Sequence, residues 1–194
     1  MDFFDRIKTI IFNPKEEWRV IEAENDPHQK VLASYLLILA LIPVIAILVG
    51  YWLVQDPTYA FKFGIIKAVT QLMILVGGAY FTSAIIYAIS DQFGGEKDFN
   101  RTFSLIAYSY TPLGVAGLFY FYIPLAWMVP FLGLYGFYLL YLGIEPQLKP
   151  VSEKKSLCFI VSLIVMIGIW AAFFKLSSEI INSMIMNSGY GIRF

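Results

Sequence analysis

Few side chains in this sequence have the types and spacing that chemistry requires. Its single histidine, His28, follows Pro27 in a polar stretch, and a lone histidine without acidic or thiol neighbours is typical of a solvated residue. Its single cysteine, Cys158, lies in an apolar run, which favours a packing residue over a reactive thiol. No His/Cys/Asp/Glu group has metal-ligand spacing, and no nucleotide-binding glycine motif occurs. The sequence therefore predicts no catalytic residue, no metal site and no cofactor.

Polar residues and prolines within the apolar runs are the remaining candidates for a functional role. Asp91 ends one such run, where its carboxylate can pair with Lys97 or Arg101. A proline within a span frees a backbone carbonyl that lipid cannot satisfy, so that carbonyl must face protein or water. These residues are expected either to pack the core of a helical hairpin or to line a path: Tyr110, Pro112, Pro124, Pro130 and Asp91.

The elements that hold these residues are membrane-spanning helices. Of the 194 residues, 59% are hydrophobic and 14% are charged, against about 25% charged in a typical soluble domain. After Arg101, about forty residues to Gly143 contain no charged side chain, which is enough for two crossings of a bilayer. The aromatic cluster and proline at 120–124 predict a tight turn between them.

The sequence predicts an all-α, polytopic membrane helix bundle with five transmembrane helices. The first is expected at about 31–54, the second at 65–90, the third and fourth within 101–143, and the fifth at 157–174. Residues 1–30 form a cytoplasmic amphipathic segment, residues 31–177 form the five-helix domain, and residues 178–194 form a short tail.

The N-terminal segment contains two short helical patterns. Apolar residues recur at three- and four-residue spacing from Phe3 to Ile11, with Arg6 among the residues assigned to the polar side, which predicts a helix lying flat in the interface. A second helix is expected from Pro14, with Asn13 before it as a cap. The residues predicted to contact lipid or a partner are Phe3, Phe4, Arg6, Ile7, Lys8 and Trp18.

The positive charges predict the orientation of the chain. With the N-terminus inside, the cytoplasmic segments carry ten Lys and Arg residues and the opposite side carries four. We therefore expect a cytoplasmic N-terminus and an external C-terminus.

Three short segments resemble a known family. The NPKEEW segment at 13–18, the AYSYTP run at 107–112 and the Ile123-Pro124 turn are similar to the bacterial branch of the Yip1-domain family. The resemblance implies a five-span membrane protein with a cytoplasmic N-terminus, here in a bacterial inner membrane. Eukaryotic members are associated with Golgi and endoplasmic-reticulum traffic and with Rab-type GTPases. This chain lacks their long acidic N-terminal region and Tyr-Gly-Pro motif, so the GTPase role is not carried over.

Two classes of function remain. One is a non-enzymatic membrane scaffold or adaptor that organises a protein partner or lipid at the cytoplasmic face through the N-terminal helices. The other is a small transporter or channel that uses the proline-broken third and fourth spans. Membrane lipid and another membrane or cytoplasmic protein are the expected partners, and kinked, glycine-rich spans allow self-association. Fourteen basic residues balance fourteen acidic ones, so nucleic acid is not an expected partner.

Overall fold

The computed structural model describes residues 2–54 and 57–187, and these residues contain helices and turns but no strand. The helices are α1 (Phe3–Phe12), α2 (Pro14–Glu24), α3 (His28–Val31), α4 (Leu37–Val54), α5 (Pro57–Leu72), α6 (Gly78–Ile89), α7 (Phe99–Ser109), α8 (Thr111–Ala116), α9 (Met128–Gly133), α10 (Tyr135–Leu148) and α11 (Lys155–Asn187). The all-helical prediction is confirmed for this part of the chain. Helices suit a bilayer because they satisfy their backbone hydrogen bonds internally.

Several of these helices join into longer, continuous ones. A π-helical turn at Leu32–Leu36 joins α3 to α4, and a second at Met73–Gly77 joins α5 to α6. Within the described residues, four helices are long and apolar enough to cross a membrane. We name them span I (His28–Leu53), span II (Phe63–Phe93), span III (Met128–Leu148) and span IV (Ser152–Ser183).

The segment expected to form the third of five spans differs from the prediction. It consists of α7 and α8, separated at Tyr110, followed by a 3₁₀ turn at Gly117–Phe121. Pro112 in the first turn of α8 lacks the N–H that an unbroken helix would use there, which explains the interruption. Nearly every side chain from Thr102 to Gly114 is buried. This broken segment therefore lies at the centre of the bundle.

The chain reverses direction after α8, in the region where the aromatic cluster predicts a turn. Short 3₁₀ turns at Gly117–Phe121 and Ile123–Leu125 lead into α9 and α10, which return along α8 and α7. The return depends on close backbone approach, since a Cβ atom at Gly136 would lie 2.5 Å from the carbonyl oxygen of Ser109.

The last helix is longer than the predicted fifth span. Helix α11 continues to Asn187, so the predicted boundary of the tail at 177–178 falls inside a helix. No glycine or proline occurs between Gly168 and Gly189 to end it. Residues 188–194 of the predicted tail lie outside the described residues.

Candidate functional site

The N-terminal helices α1 and α2 pack against each other and against the bundle. Asn13 separates α1 from α2, and Asn25, in the left-handed conformation at φ 44°, ends α2. Ile10, Trp18 and Ile21 are buried, with exposed fractions of 0%, 1% and 4%. The pair is therefore part of the packed structure rather than a separate interfacial element.

Arg6 lies at the centre of this packing, which corrects its assignment to the polar side of α1. Its guanidinium is buried, pairs with the carboxylates of Glu17 and Glu24, and stacks over the ring of Tyr108 with 5.6 Å to the ring centroid. The Glu17 side chain is 2% exposed and that of Glu24 is 32% exposed. A buried charge requires such partners, because desolvation is otherwise too costly.

The charge state of Arg6 follows from its surroundings. Burial alone would lower the pKa of the guanidinium, but Tyr108, Glu17 and Glu24 attract the charged form and raise its pKa above the ordinary value. Arg6 is therefore a permanent cation that joins α1 to α2 and to α7.

Trp18 fastens α2 to span III. A Cβ atom added at Gly143 would lie 2.6 Å from the Trp18 ring, so the indole occupies space that only glycine leaves free. The ring also meets Tyr108 edge-on at 6.3 Å. Trp18 was predicted to contact lipid or a partner, and its burial makes it unavailable for such contact in this arrangement.

The outer surface of α1 and α2, which we call the N-terminal face, exposes aromatic and charged side chains rather than packing them. Phe4 and Phe12 are 73% and 75% exposed. Lys8, Lys15 and Arg19 are also exposed. The predicted contact residues Phe3 and Ile7 are half-buried, and both pack against the core. Asp5 and Glu16 are exposed on the same two helices, so apolar, basic and acidic side chains share this surface, a composition that suits contact with a membrane or an interaction partner.

A groove of about 520 Å³ adjoins the N-terminal face, between α2, the end of span III and the start of span IV. Its charged lining residues are Lys15, Arg19, Glu22, Glu145 and Lys155. Lys155 already pairs with Glu145, and Glu22 lies 3.4 Å from Lys149 and 3.9 Å from Arg101. The other two basic side chains, of Lys15 and Arg19, remain exposed toward solvent.

The connections at the same end of the bundle are held by polar contacts. His28, expected to be solvated, is half-buried: its backbone N–H donates to Asn100 Oδ1 at 2.9 Å and its Nδ1 lies 2.8 Å from the same oxygen. Phe99 and Phe103 pack edge-on against the imidazole at 5.1 and 6.0 Å. Asp91 pairs with Lys97 at 2.8 Å, one of the two partners expected for it. This hydrogen bond raises the pKa of Lys97.

The residues predicted for the hairpin core or a path are separated in the structure. Tyr110 is 1% exposed and accepts a hydrogen bond from Trp170 Nε1 at 3.0 Å, and Pro112 is also buried. Pro124, Pro130 and Asp91 are exposed. The buried members pack the broken segment, and the exposed members do not join them in a common site.

The hydroxyl groups of Tyr35, Ser109 and Thr111, at the break, have partners within the protein. The hydroxyls of Tyr35 and Thr111 lie 2.6 Å apart, and that of Thr111 lies 2.6 Å from the carbonyl oxygen of Tyr108. Ser109 donates to the carbonyl oxygen of Leu105 at 2.7 Å. Protein groups, rather than a water-filled path, thus surround the interruption.

Sequence reasoning missed the ion network of Arg6, Glu17 and Glu24, although a signal for it existed. Arg6 follows Phe3 by three residues and precedes Ile10 by four, so it shares the apolar side of α1 with both. A charged residue at such a position indicates a buried partner. No group of three or more His, Cys, Asp or Glu side chains suited to a metal ion occurs within the described residues.

The chain is similar to bacterial proteins named as inner membrane proteins. The chain is 27% identical over 158 residues to "Inner membrane protein YohC" of Escherichia coli K12, covering 76% of this chain and 80% of that protein. The protein of the same name from Escherichia coli O6:H1 strain CFT073 matches with the same identity and coverage. No solved structure matches. The family model of the Yip1 domain matches residues 8–173, and the chain therefore belongs to the Yip1 domain family.

Proposed function

We propose that this protein is a non-enzymatic membrane scaffold that organises a protein partner or lipid through its N-terminal face. The supporting observation is that α1 and α2 are held in a fixed position while their outer surface exposes both apolar and charged side chains. Arg6 and Trp18 hold α1 and α2 against the bundle, while Phe4, Phe12 and the basic residues beside them point outward. A preorganised surface binds with less loss of conformational entropy than a flexible segment does.

The proposal places the protein in a bacterial inner membrane, with the N-terminal face in the cytoplasm. The name of the Escherichia coli relatives supports the location, and the excess of Lys and Arg on the N-terminal side supports the orientation. Exposed Lys8, Lys15 and Arg19 would then meet the anionic head groups or acidic proteins at the cytoplasmic surface.

We further propose that the broken segment formed by α7 and α8 is a fifth crossing. From Phe99 to Phe121 it contains 23 residues, which at about 1.5 Å per residue reach across a hydrocarbon core about 30 Å thick. Its burial among the other helices explains how an interrupted helix is tolerated at that depth. Five crossings put the C-terminus outside.

A small transporter or channel is the less well supported alternative. That hypothesis requires the proline interruptions to expose backbone to a substrate. At Pro112, however, the surrounding groups are buried side chains with protein partners, including Tyr110 and Thr111. Asp91, the carboxylate considered for such a path, is exposed and paired with Lys97.

Site-specific photocrosslinking in native membranes tests the scaffold proposal. A photoreactive amino acid at Phe12 samples the N-terminal face, and the same residue at Phe131, which is 64% exposed on span III, is the matched control. We expect discrete adducts at Phe12 that are absent at Phe131 and that weaken when Lys15 and Arg19 are both replaced by glutamine. Identical bulk-lipid adducts at the two positions would overturn the proposal.

A further inference from the structure

A cavity of about 320 Å³ opens at the end of the bundle opposite α1 and α2. Its walls come from the end of span I, the start of span II, the turn after α8 and the last part of span IV. The lining includes Tyr51, Lys67, Gln71, Tyr120, Ala126 and Ser178. Nothing in the scaffold proposal uses this site.

The polar groups of this cavity favour an anion. The Lys67 ammonium lies 5.4 Å from the centroid of the Tyr51 ring, and its exposed side chain at the cavity can meet an anionic group. Gln71 is only 7% exposed and lines the cavity together with Lys67. The described lining residues include this one cation and no carboxylate, so a bound anion would compensate the charge.

An apolar groove lies directly beside the cavity, between α5 and α11. It has a volume of about 170 Å³ and shares Thr70 and Ser177 with the cavity. The hydroxyls of Thr70 and Ser177 lie 2.8 Å apart at the boundary that the cavity and the groove share. Exposed apolar side chains, including Ile65, Val69 and Ile180, line the groove. A ligand that fills both spaces needs an anionic end and an aliphatic chain.

We propose that the cavity and groove together bind one phospholipid with a net negative head group. The phosphate accepts hydrogen bonds from the Lys67 ammonium and the Gln71 amide, and an acyl chain follows the groove past Thr70 and Ser177. Charge complementarity favours an anionic head group over a zwitterionic one. The adjoining groove favours a lipid over a soluble phosphate.

Native mass spectrometry of the full-length protein in detergent with added lipid tests this proposal. We expect dioleoyl-phosphatidylglycerol to bind more tightly than dioleoyl-phosphatidylcholine. Lys67→Gln should weaken phosphatidylglycerol binding about tenfold, equivalent to about 1.4 kcal/mol. Lys175→Gln removes an exposed lysine from α11 that does not line the cavity, and it should leave binding unchanged.

Two further measurements keep the proposal falsifiable. Ala126→Phe fills the cavity without changing its charge and should also weaken phosphatidylglycerol binding, with size-exclusion elution confirming a folded protein. Glycerol 3-phosphate has the anionic group without the chain and should not compete with the lipid at equal concentration. Equal phosphatidylglycerol binding by the wild type and Lys67→Gln would overturn the site. Effective competition by glycerol 3-phosphate would overturn the assignment of a lipid.

Discussion

Replacing Arg6 by methionine should release the N-terminal helices from the bundle. The substitution keeps an unbranched side chain of similar length but removes the guanidinium that Glu17 and Glu24 share. Glu24 is one-third exposed and can regain water, whereas Glu17 is 2% exposed and is left as an unpaired buried charge. Removing one partner of a buried pair costs about 3–5 kcal/mol. The substitution should therefore lower mainly the free energy that holds α1 and α2 against the bundle.

Hydrogen–deuterium exchange of the protein in lipid nanodiscs measures that docking. A loss of about 3 kcal/mol corresponds to amide exchange in α1 and α2 that is faster by about a hundredfold or more, with span IV unchanged. Lys8→Met, at an exposed position on the same helix, is the control and should have no effect. The double variant Arg6→Met/Glu17→Met removes both charges and should recover most of the protection, because no charge is left buried without a partner. Exchange in Arg6→Met within twofold of the wild type, or a double variant less protected than the single one, would refute the reasoning.

Two other substitutions test the close packing. Gly143→Val should displace the Trp18 ring and lower the free energy of unfolding by about 1–3 kcal/mol. Gly168→Val should be nearly neutral, because an added Cβ there meets nothing within 4 Å. Thermal melting in detergent compares the two variants, and equal melting midpoints would contradict the packing of α2. Pro112→Leu should lower the yield of folded protein more than Pro146→Leu, because Pro112 is buried in the first turn of α8 and Pro146 is only half-buried. Equal yields in fluorescence-detected size-exclusion chromatography would count against a tightly packed broken segment.

Hydropathy and turn chemistry predicted most of the helical architecture. Spans I to IV each overlap a predicted apolar run, and the chain turns near the cluster at 120–124. These features are local, since an apolar run of about 20 residues indicates a span wherever the rest of the chain lies. Local rules were less successful at ends and interruptions. Pro112 indicated a break but not the division of the segment into α7 and α8. The predicted end of the last span required a helix stop that the sequence does not supply, so α11 continues further.

The candidate site was less predictable because its partners are distant in sequence. Arg6 meets carboxylates 11 and 18 residues away, and His28 meets Asn100 across 72 residues. An amphipathic pattern identifies which residues share one side of a helix, but it does not say whether lipid or protein covers that side. In α1 and α2 the side that carries Arg6 and Trp18 is covered by protein. These two side chains, which were expected on the exposed surface, therefore hold the helices in place.

The central claim is that the N-terminal face, once held in place by Arg6 and Trp18, recruits a protein partner or lipid. The most direct measurement is quantitative proximity labelling in native membranes, comparing the wild type with a variant in which Phe4 and Phe12 become serine and Lys15 and Arg19 become glutamine. All four side chains are exposed, so exchange protection of α1 and α2 should match the wild type. The proposal predicts that discrete labelled partners or lipids disappear in this variant while the protein stays inserted and folded. An unchanged labelling profile would contradict a scaffold that acts through this face.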